Sequence, residues 1–149
     1  VTQTDSTMHP HQAEVTIGNI RFNSYDLGGH VQARKTWSDY CGTVDGIIFM
    51  VDAADPDRIK EAKTELDSLL AMPELKNVPF VVFGNKVDKK GSLKEDELRE
   101  NLGLLYHQTY GKDPARKNEG ARPVEVFMCS VVKRVGYAEG FQWLSSFIK

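Results

Sequence analysis

The sequence has few cysteines, no long apolar run and almost no net charge, and each shortage excludes a class of protein. Two cysteines, Cys41 and Cys129, are too few for a disulfide scaffold, and we expect both to be buried, reduced thiols, as is usual in the cytosol. No apolar stretch approaches the roughly 18 residues that a membrane-spanning helix needs. With 19 basic and 21 acidic residues the net charge is −2, which gives no electrostatic reason to expect nucleic-acid binding.

The sequence also contains no G-x-x-x-x-G-K-S/T pattern, the glycine-rich loop that cradles nucleotide phosphates. Gly111-Lys112 comes nearest, but Tyr106 stands where the first glycine is needed and Asp113 follows the lysine. The loop, its lysine and its Mg²⁺-binding hydroxyl are therefore absent from these 149 residues. Any phosphate site that the remaining residues predict is incomplete within this sequence.

What is present is 40% hydrophobic, enough for one domain with a real core, and apolar strand-like runs alternate with helical patterns. A hairpin turning at Gly18-Asn19 is predicted first. Three later strands are predicted over residues 46–52, 80–84 and 124–129. Helices are predicted over residues 33–40, from Asp55 as N-cap to residue 70, from a capping box at residues 92–95 to Gly103, and over residues 138–148. This alternation predicts a doubly wound, mostly parallel α/β sheet, and the apolar run 46–52 should be buried on both faces.

The motif Asn85-Lys86-Val87-Asp88 follows the predicted strand 80–84. The Asp88 carboxylate could accept hydrogen bonds from the ring N1–H and the exocyclic amine of guanine, a bidentate pairing that adenine cannot offer. Asn85 and Lys86 would brace the neighbouring loops and cover the base. Four such residues are common in any loop after a strand, so the motif needs a second one at the right place.

That second motif is Asp26-Leu27-Gly28-Gly29-His30, which also ends a strand-like run. In the pattern D-x-x-G, an aspartate at a strand end holds Mg²⁺ through water. The glycine lets its backbone N–H approach a γ-phosphate with no side chain in the way. The predicted strand 46–52 and the helix from Asp55 to residue 70 lie between the two motifs, and the joint occurrence of the motifs favours a guanine-nucleotide site.

The chain resembles the Sar GTPases, the Arf-like switches that start COPII coat assembly on the endoplasmic reticulum. The D-L-G-G-H run is specific, because Ras and Rab proteins typically carry glutamine where this chain has His30. The resemblance rests on five segments: residues 26–34, 51–56, 84–88, 123–131 and 140–144. It implies that residues 1–149 form a single P-loop small-GTPase domain that is incomplete at its N-terminus, without the first strand, P-loop and first helix.

The resemblance also implies a role for individual residues. Thr7 and Asp26 would serve Mg²⁺, and Thr7 and Gly29 would contact the γ-phosphate. His30 would orient the attacking water, since a neutral imidazole both accepts and donates. After the last strand, Ser130 and the backbone amide of Val131 would face the base.

Cofactors, partners and location follow from the same resemblance. The cofactors would be Mg²⁺ and GTP or GDP. The partners would be COPII inner-coat subunits that supply an arginine finger, together with GTPase-activating and exchange factors. Membrane association would come from an N-terminal amphipathic helix outside this sequence, at the cytoplasmic face of the endoplasmic reticulum and the Golgi, with the GDP form in the cytosol. No nucleic acid is expected.

Three interpretations stay open at this point. The chain is part of an intact GTPase whose phosphate-binding segment lies outside these residues, or it is a catalytically silent coat-binding module. A third interpretation takes Asp52, which ends a predicted strand, as the phospho-acceptor of a receiver domain. In the family's sheet the first strand lies between those ending at Asp26 and Asp52, so we expect residues 1–149 alone not to fold cooperatively.

Overall fold

The computed structural model describes residues 11–17, 20–26, 44–113 and 122–148, with the backbone alone in the first two ranges. The chain divides into two compact units, residues 1–43 and residues 44–149. In the first unit β1 (His11–Ile17) pairs with β2 (Ile20–Asp26) in an antiparallel hairpin in which Ile17 lies opposite Ile20. The predicted hairpin is confirmed, and its second strand ends at Asp26. The helix predicted over residues 33–40 lies outside the described ranges.

The second unit contains a three-stranded parallel sheet in the order β3-β4-β5, with β4 in the centre. Its strands are β3 (Ile47–Asp52), β4 (Phe80–Asn85) and β5 (Val124–Met128). Its helices are α1 (Ile59–Leu70), α2 (Glu95–Leu102) and α3 (Tyr137–Ser145). None of the helices described here is long and apolar enough to cross a bilayer.

Helices cover the central strand on both faces, which confirms the predicted doubly wound α/β architecture. On one face a Cβ added to Gly84 would lie 2.6 Å from Leu98 of α2. On the other face α3 approaches so closely that a Cβ on Gly140 would lie 2.2 Å from the ring of Phe83. The side chains of β4 from Phe80 to Phe83 are accordingly buried almost completely.

The prediction that β3 is buried on both faces is wrong. Phe49 and Val51 are buried, but Ile48 is 37% exposed and Met50 is 50% exposed. Met50 shares a sheet face with Phe83, its neighbour in register, and α3 packs on β4 and β5 across that face. The last helix does reach the residue before β3, where a Cβ on Gly46 would lie 3.3 Å from Leu144, but Ile48 and Met50 further along this edge strand stay partly open.

Three helix boundaries differ from the sequence-based expectation. The side chain of Asp55 makes no capping hydrogen bond, and a short 3₁₀ turn, Pro56–Arg58, precedes α1. The capping box expected at residues 92–95 is displaced, because the backbone N–H of Lys94 donates to Glu97 Oε1 at 3.0 Å and Ser92 Oγ instead donates to the Val87 carbonyl. Helix α3 ends at Ser145 rather than at residue 148. Gly103, in contrast, ends α2 as predicted, with φ 72°.

A buried ion pair ties α2 to β5. The guanidinium of Arg99 donates to Glu125, and both side chains are almost fully buried. Arg99 also donates to Thr109 Oγ1 at 3.0 Å and to the carbonyl of Leu104 at 3.1 Å. Elsewhere in this core the thiol of Cys129 is buried and free, and burial raises its pKa. This confirms the expectation of a reduced thiol at Cys129, whereas Cys41 lies outside the described residues.

We expect a polypeptide of residues 1–149 alone to unfold without a cooperative transition and to bind no GTP. Within the described residues β3 pairs only with β4, so one edge of β3 has no strand beside it, and Ile48 and Met50 next to that edge stay exposed. Complete burial of one such side chain is worth roughly 1.5–3 kcal/mol, so two partly exposed ones forgo a noticeable part of the about 5–15 kcal/mol by which a domain is stable. Far-UV circular dichroism during thermal melting checks this. A sharp, reversible melt together with micromolar GDP affinity would contradict it.

Candidate functional site

The three parallel strands of the second unit end at the same edge of the sheet. Asp52, the last residue of β3, lies beside Asn85, the last residue of β4, and Gly84 lies beside Met128 of β5. The ladder continues past β5, because the N–H of Cys129 donates to the carbonyl of Gly84 at 2.9 Å. The loops after β3, β4 and β5 therefore emerge side by side, which is where open α/β sheets bind ligands.

The side chain of Asn85 joins the loop after β4 to the loop after β5. Its Oδ1 accepts from the backbone N–H of Lys86 at 2.8 Å and from the backbone N–H of Val131 at 3.1 Å. The thiol of Cys129 lies 3.8 Å from the same oxygen. A short side chain with a carbonyl oxygen at a strand end can reach both loops, so Asn85 braces them, as the motif predicted.

Lys86 adopts a backbone conformation that L-residues rarely take, with φ 71°. Its ammonium donates to Asp52 Oδ2 at 2.8 Å, and Asp52 Oδ1 accepts from the N–H of Ala54 at 2.9 Å. Burial raises the pKa of Asp52, but the hydrogen bonds from Lys86 and Ala54 outweigh it and leave the pKa below its ordinary value. The hydrogen bond to Asp52 raises the pKa of Lys86, so both groups are charged at neutral pH.

Asp88 is exposed at this edge and is held by one buried hydroxyl. Ser130 is fully buried, and its Oγ donates to Asp88 Oδ1 at 2.6 Å while accepting from the N–H of Lys133 at 3.1 Å. This hydrogen bond from Ser130 lowers the pKa of Asp88 below its ordinary value. A carboxylate offers about four acceptor positions, and Ser130 occupies one of them. The carboxylate is thus ionised, oriented and still able to accept two further hydrogen bonds.

The loop after β5 is closed by its own backbone. Ser130 and Val135 exchange both backbone hydrogen bonds, at 3.0 and 3.1 Å, and enclose a tight turn. Val131, at the start of the turn, is 51% exposed. Its N–H, which the resemblance to the Sar GTPases predicts to face guanine, donates to Asn85 Oδ1 in this structure. Its contact with the base remains a prediction.

The structure brings together five of the predicted site residues, all of them on the two loops that Asn85 joins: Asn85, Lys86, Asp88, Ser130 and Val131. Asp26 ends β2 as predicted, in the other unit. Thr7, Gly29 and His30 lie outside the described residues. In the described part of the chain, no group of three or more histidine, cysteine or acidic residues is placed to hold a metal ion.

Sequence reasoning missed the ion pair between Asp52 and Lys86. In the sequence Asp52 is a predicted strand end, part of the segment 51–56 that resembles the Sar GTPases, and a rival phospho-acceptor. Both strand ends were predicted from the sequence, but it is the register of β3 with β4 that places the residue after Asn85 next to Asp52. The contact of Ser130 with Lys133 was missed too, although serine hydroxyls often accept from a backbone N–H a few residues on.

The chain is similar to known proteins along almost its whole length. The sequence profile of the ADP-ribosylation factor family matches residues 1–148. A "Small COPII coat GTPase SAR1" of Giardia intestinalis is 39% identical over 142 residues, which are 95% of this chain and 74% of that protein. A protein of the same description from Nicotiana tabacum is 37% identical over an aligned length of 152 positions, which covers 99% of this chain and 77% of that protein. "ADP-ribosylation factor-like protein 8b" of Arabidopsis thaliana is 42% identical over 91 residues, 61% of this chain and 50% of that protein. The match to the ADP-ribosylation factor family excludes the interpretation of Asp52 as the phospho-acceptor of a receiver domain.

Replacing Ser130 by alanine is expected to raise the pKa of Asp88 towards its ordinary value, because the hydroxyl that lowers it is lost. Because the pKa of Asp88 is lowered in the folded protein, the stabilisation from the Ser130 hydrogen bond is fully present above the ordinary pKa range of a carboxyl group. It is lost as the pH falls through the lowered pKa of Asp88. A ¹³C NMR titration of the Asp88 carboxyl in the complete protein measures the shift. Ser145→Ala, which removes a hydroxyl that donates to the Gln142 carbonyl, is the matched control. The same Asp88 titration in Ser130→Ala and in the unmodified protein would contradict the assignment.

Proposed function

This chain belongs to the ADP-ribosylation factor family as a Sar-type small GTPase, and we propose that it works as a GTP-binding and GTP-hydrolysing switch. The observation that carries the proposal is the hydrogen-bonded frame at the strand ends. Asn85 ties the loop after β4 to Val131, and Ser130 ties Asp88 to the loop after β5. These hydrogen bonds hold together the two loops that would form the guanine site.

Guanine recognition would fall to Asp88. Its ionised carboxylate would accept from guanine N1–H and from the exocyclic amine, two charge-assisted hydrogen bonds to one base edge. Adenine presents an unprotonated N1 at the same place and would leave the carboxylate facing an acceptor. The exposed Val131 and the aliphatic stem of Lys86 would offer apolar surface on which the base can lie.

The hydrolytic step would fall to the other motif. Asp26 and Thr7 would serve Mg²⁺, which neutralises charge on the phosphates when it is bound. Gly29 would contact the γ-phosphate, and His30 would hold the attacking water by accepting one of its protons in a hydrogen bond. Two facts support these roles: β2 ends at Asp26 as the motif requires, and the family match extends across this part of the chain.

The cellular role would be initiation of the COPII coat for transport from the endoplasmic reticulum to the Golgi. The support is the description of two relatives as COPII coat GTPases, at 39% and 37% identity. Partners would then be inner-coat subunits with an arginine finger, a GTPase-activating factor and an exchange factor. The protein would act at the cytoplasmic face of the endoplasmic reticulum, anchored by an N-terminal amphipathic helix, and return to the cytosol with GDP.

A second candidate is a coat-binding module without nucleotide turnover, suggested by the missing P-loop motif. Single-turnover GTP hydrolysis by the complete protein, with and without coat proteins, separates the two. The proposed switch hydrolyses GTP, and coat proteins accelerate it. A silent module shows no hydrolysis above background in either condition while still binding the coat.

Asp88→Asn is expected to weaken GDP binding by roughly 30- to 1000-fold, because an amide accepts at only one of the two atoms that the carboxylate uses. Xanthine nucleotides should gain in relative affinity, since xanthine carries an oxygen where guanine carries the amine, and the new amide N–H can donate to it. Titration calorimetry on the complete protein measures both, with Asp57→Asn on the exposed 3₁₀ turn as the control. Unchanged GDP affinity would rule out Asp88 as the guanine ligand.

His30→Gly is expected to leave GTP binding nearly intact and to slow hydrolysis by roughly 100-fold or more, the effect of losing a positioned water-handling group. Single-turnover hydrolysis with coat activator measures it. His107→Gly, in the short turn after α2, is the matched control and should keep the normal rate. A normal rate of GTP hydrolysis in His30→Gly would show that His30 has no role in the hydrolytic step.

A further inference from the structure

We propose that Asp52 is a positioning residue that holds the side chain of Lys86 for nucleotide binding, an inference that rests on the guanine site proposed above. Asp52 belongs to neither sequence motif, and it reaches the site through the sheet. Because Asp52 and Asn85 are neighbours in register at the ends of β3 and β4, the residue after Asn85 begins directly beside the Asp52 carboxylate.

The two oxygens of Asp52 have different partners, which fixes the orientation of the carboxylate. Oδ1 accepts from the N–H of Ala54 at 2.9 Å, a contact within its own loop. Oδ2 accepts from the ammonium of Lys86 at 2.8 Å. One oxygen therefore anchors the carboxylate to the end of β3, and the other is presented to the lysine at a fixed place.

Lys86 is held at its backbone and at the ammonium group of its side chain. Its backbone has φ 71°, and its N–H is held by Asn85 Oδ1 at 2.8 Å. Its four-carbon stem would otherwise sample many rotamers, and a ligand that required one of them would lose affinity by ordering it. With the ammonium held by Asp52, the stem is confined before the nucleotide arrives. The proposed benefit is preorganisation of the apolar stem against the base.

The charges around the pair are mixed, and the pair is half exposed. Asp55 and Asp88 also attract Lys86, and Lys89 also attracts Asp52, but these charges act without the direct hydrogen bond that joins Asp52 to Lys86. The side chains of the pair are 37% and 40% exposed, so water screens it and it contributes little to the stability of the fold. Replacing Asp52 should therefore spare the fold and act mainly on the ligand.

A double-mutant cycle on the complete protein tests the proposal, with GDP affinity measured by calorimetry or by competition against a fluorescent GDP analogue. Asp52→Asn keeps an oxygen for Ala54 but removes the charge that holds Lys86. We expect it to weaken GDP binding about three- to tenfold when Lys86 is present and to have almost no further effect in Lys86→Met. Asp52→Glu, which keeps the charge, should restore most of the affinity. Asp57→Asn, an exposed carboxylate nearby in sequence, should change nothing.

Three results would overturn the inference. An equal loss on Asp52→Asn with and without Lys86 would mean that Asp52 acts only through its loop. Tighter GDP binding by Asp52→Asn would mean that Asp52 draws the lysine away from the ligand. An Asp52→Glu protein as weak as Asp52→Asn would show that the charge is not what matters. These outcomes leave the proposed function standing, whereas an unmodified protein that binds GDP no better than ADP would overturn the proposed function and this inference with it.

Discussion

The carbonyl oxygen of the Asn85 side chain sits between two loops that leave neighbouring strands and accepts a backbone N–H from each. The other contacts of the site depend on that junction. With Val131 held to Asn85 and the N–H of Val87 donating to the Cys129 carbonyl, Ser130 comes within reach of Asp88. The charged group that would read the base is thus fixed by short hydrogen bonds between chain segments more than 40 residues apart in sequence. The parallel register of β3, β4 and β5 brings all of these groups to one edge.

Much of this arrangement could be predicted from the sequence, because the signals are local. The apolar run 80–84 ends directly at Asn85 and becomes the buried centre of the sheet, and the D-x-x-G motif begins at the last residue of β2. Strand ends and the turns that follow them depend on neighbouring residues, which a reader of the sequence can see. The same holds for Gly103, whose freedom to take a positive φ ends α2.

Other features depended on tertiary packing and could not be predicted in this way. The apolar character of residues 46–52 gave no indication that Met50 would stay half exposed on an edge strand of the sheet. Ser92 and Asp55 have the right chemistry for caps, but Ser92 bonds a carbonyl of the preceding loop and Asp55 precedes a 3₁₀ turn. The pairing of Lys86 with Asp52 needs the register of two strands 33 positions apart, which the sequence does not state directly.

The central claim is that Asp88, held by Ser130, reads the hydrogen-bonding edge of guanine, and nucleotide selectivity tests it most directly. GDP, IDP and ADP differ at the base alone, so their dissociation constants on the complete protein, measured at one Mg²⁺ concentration, isolate base recognition from phosphate binding. We predict that GDP binds tightest, that IDP, which lacks the exocyclic amine, binds about 10- to 100-fold more weakly, and that ADP binds far more weakly than either. Affinities for ADP and GDP within about threefold of each other would contradict the account.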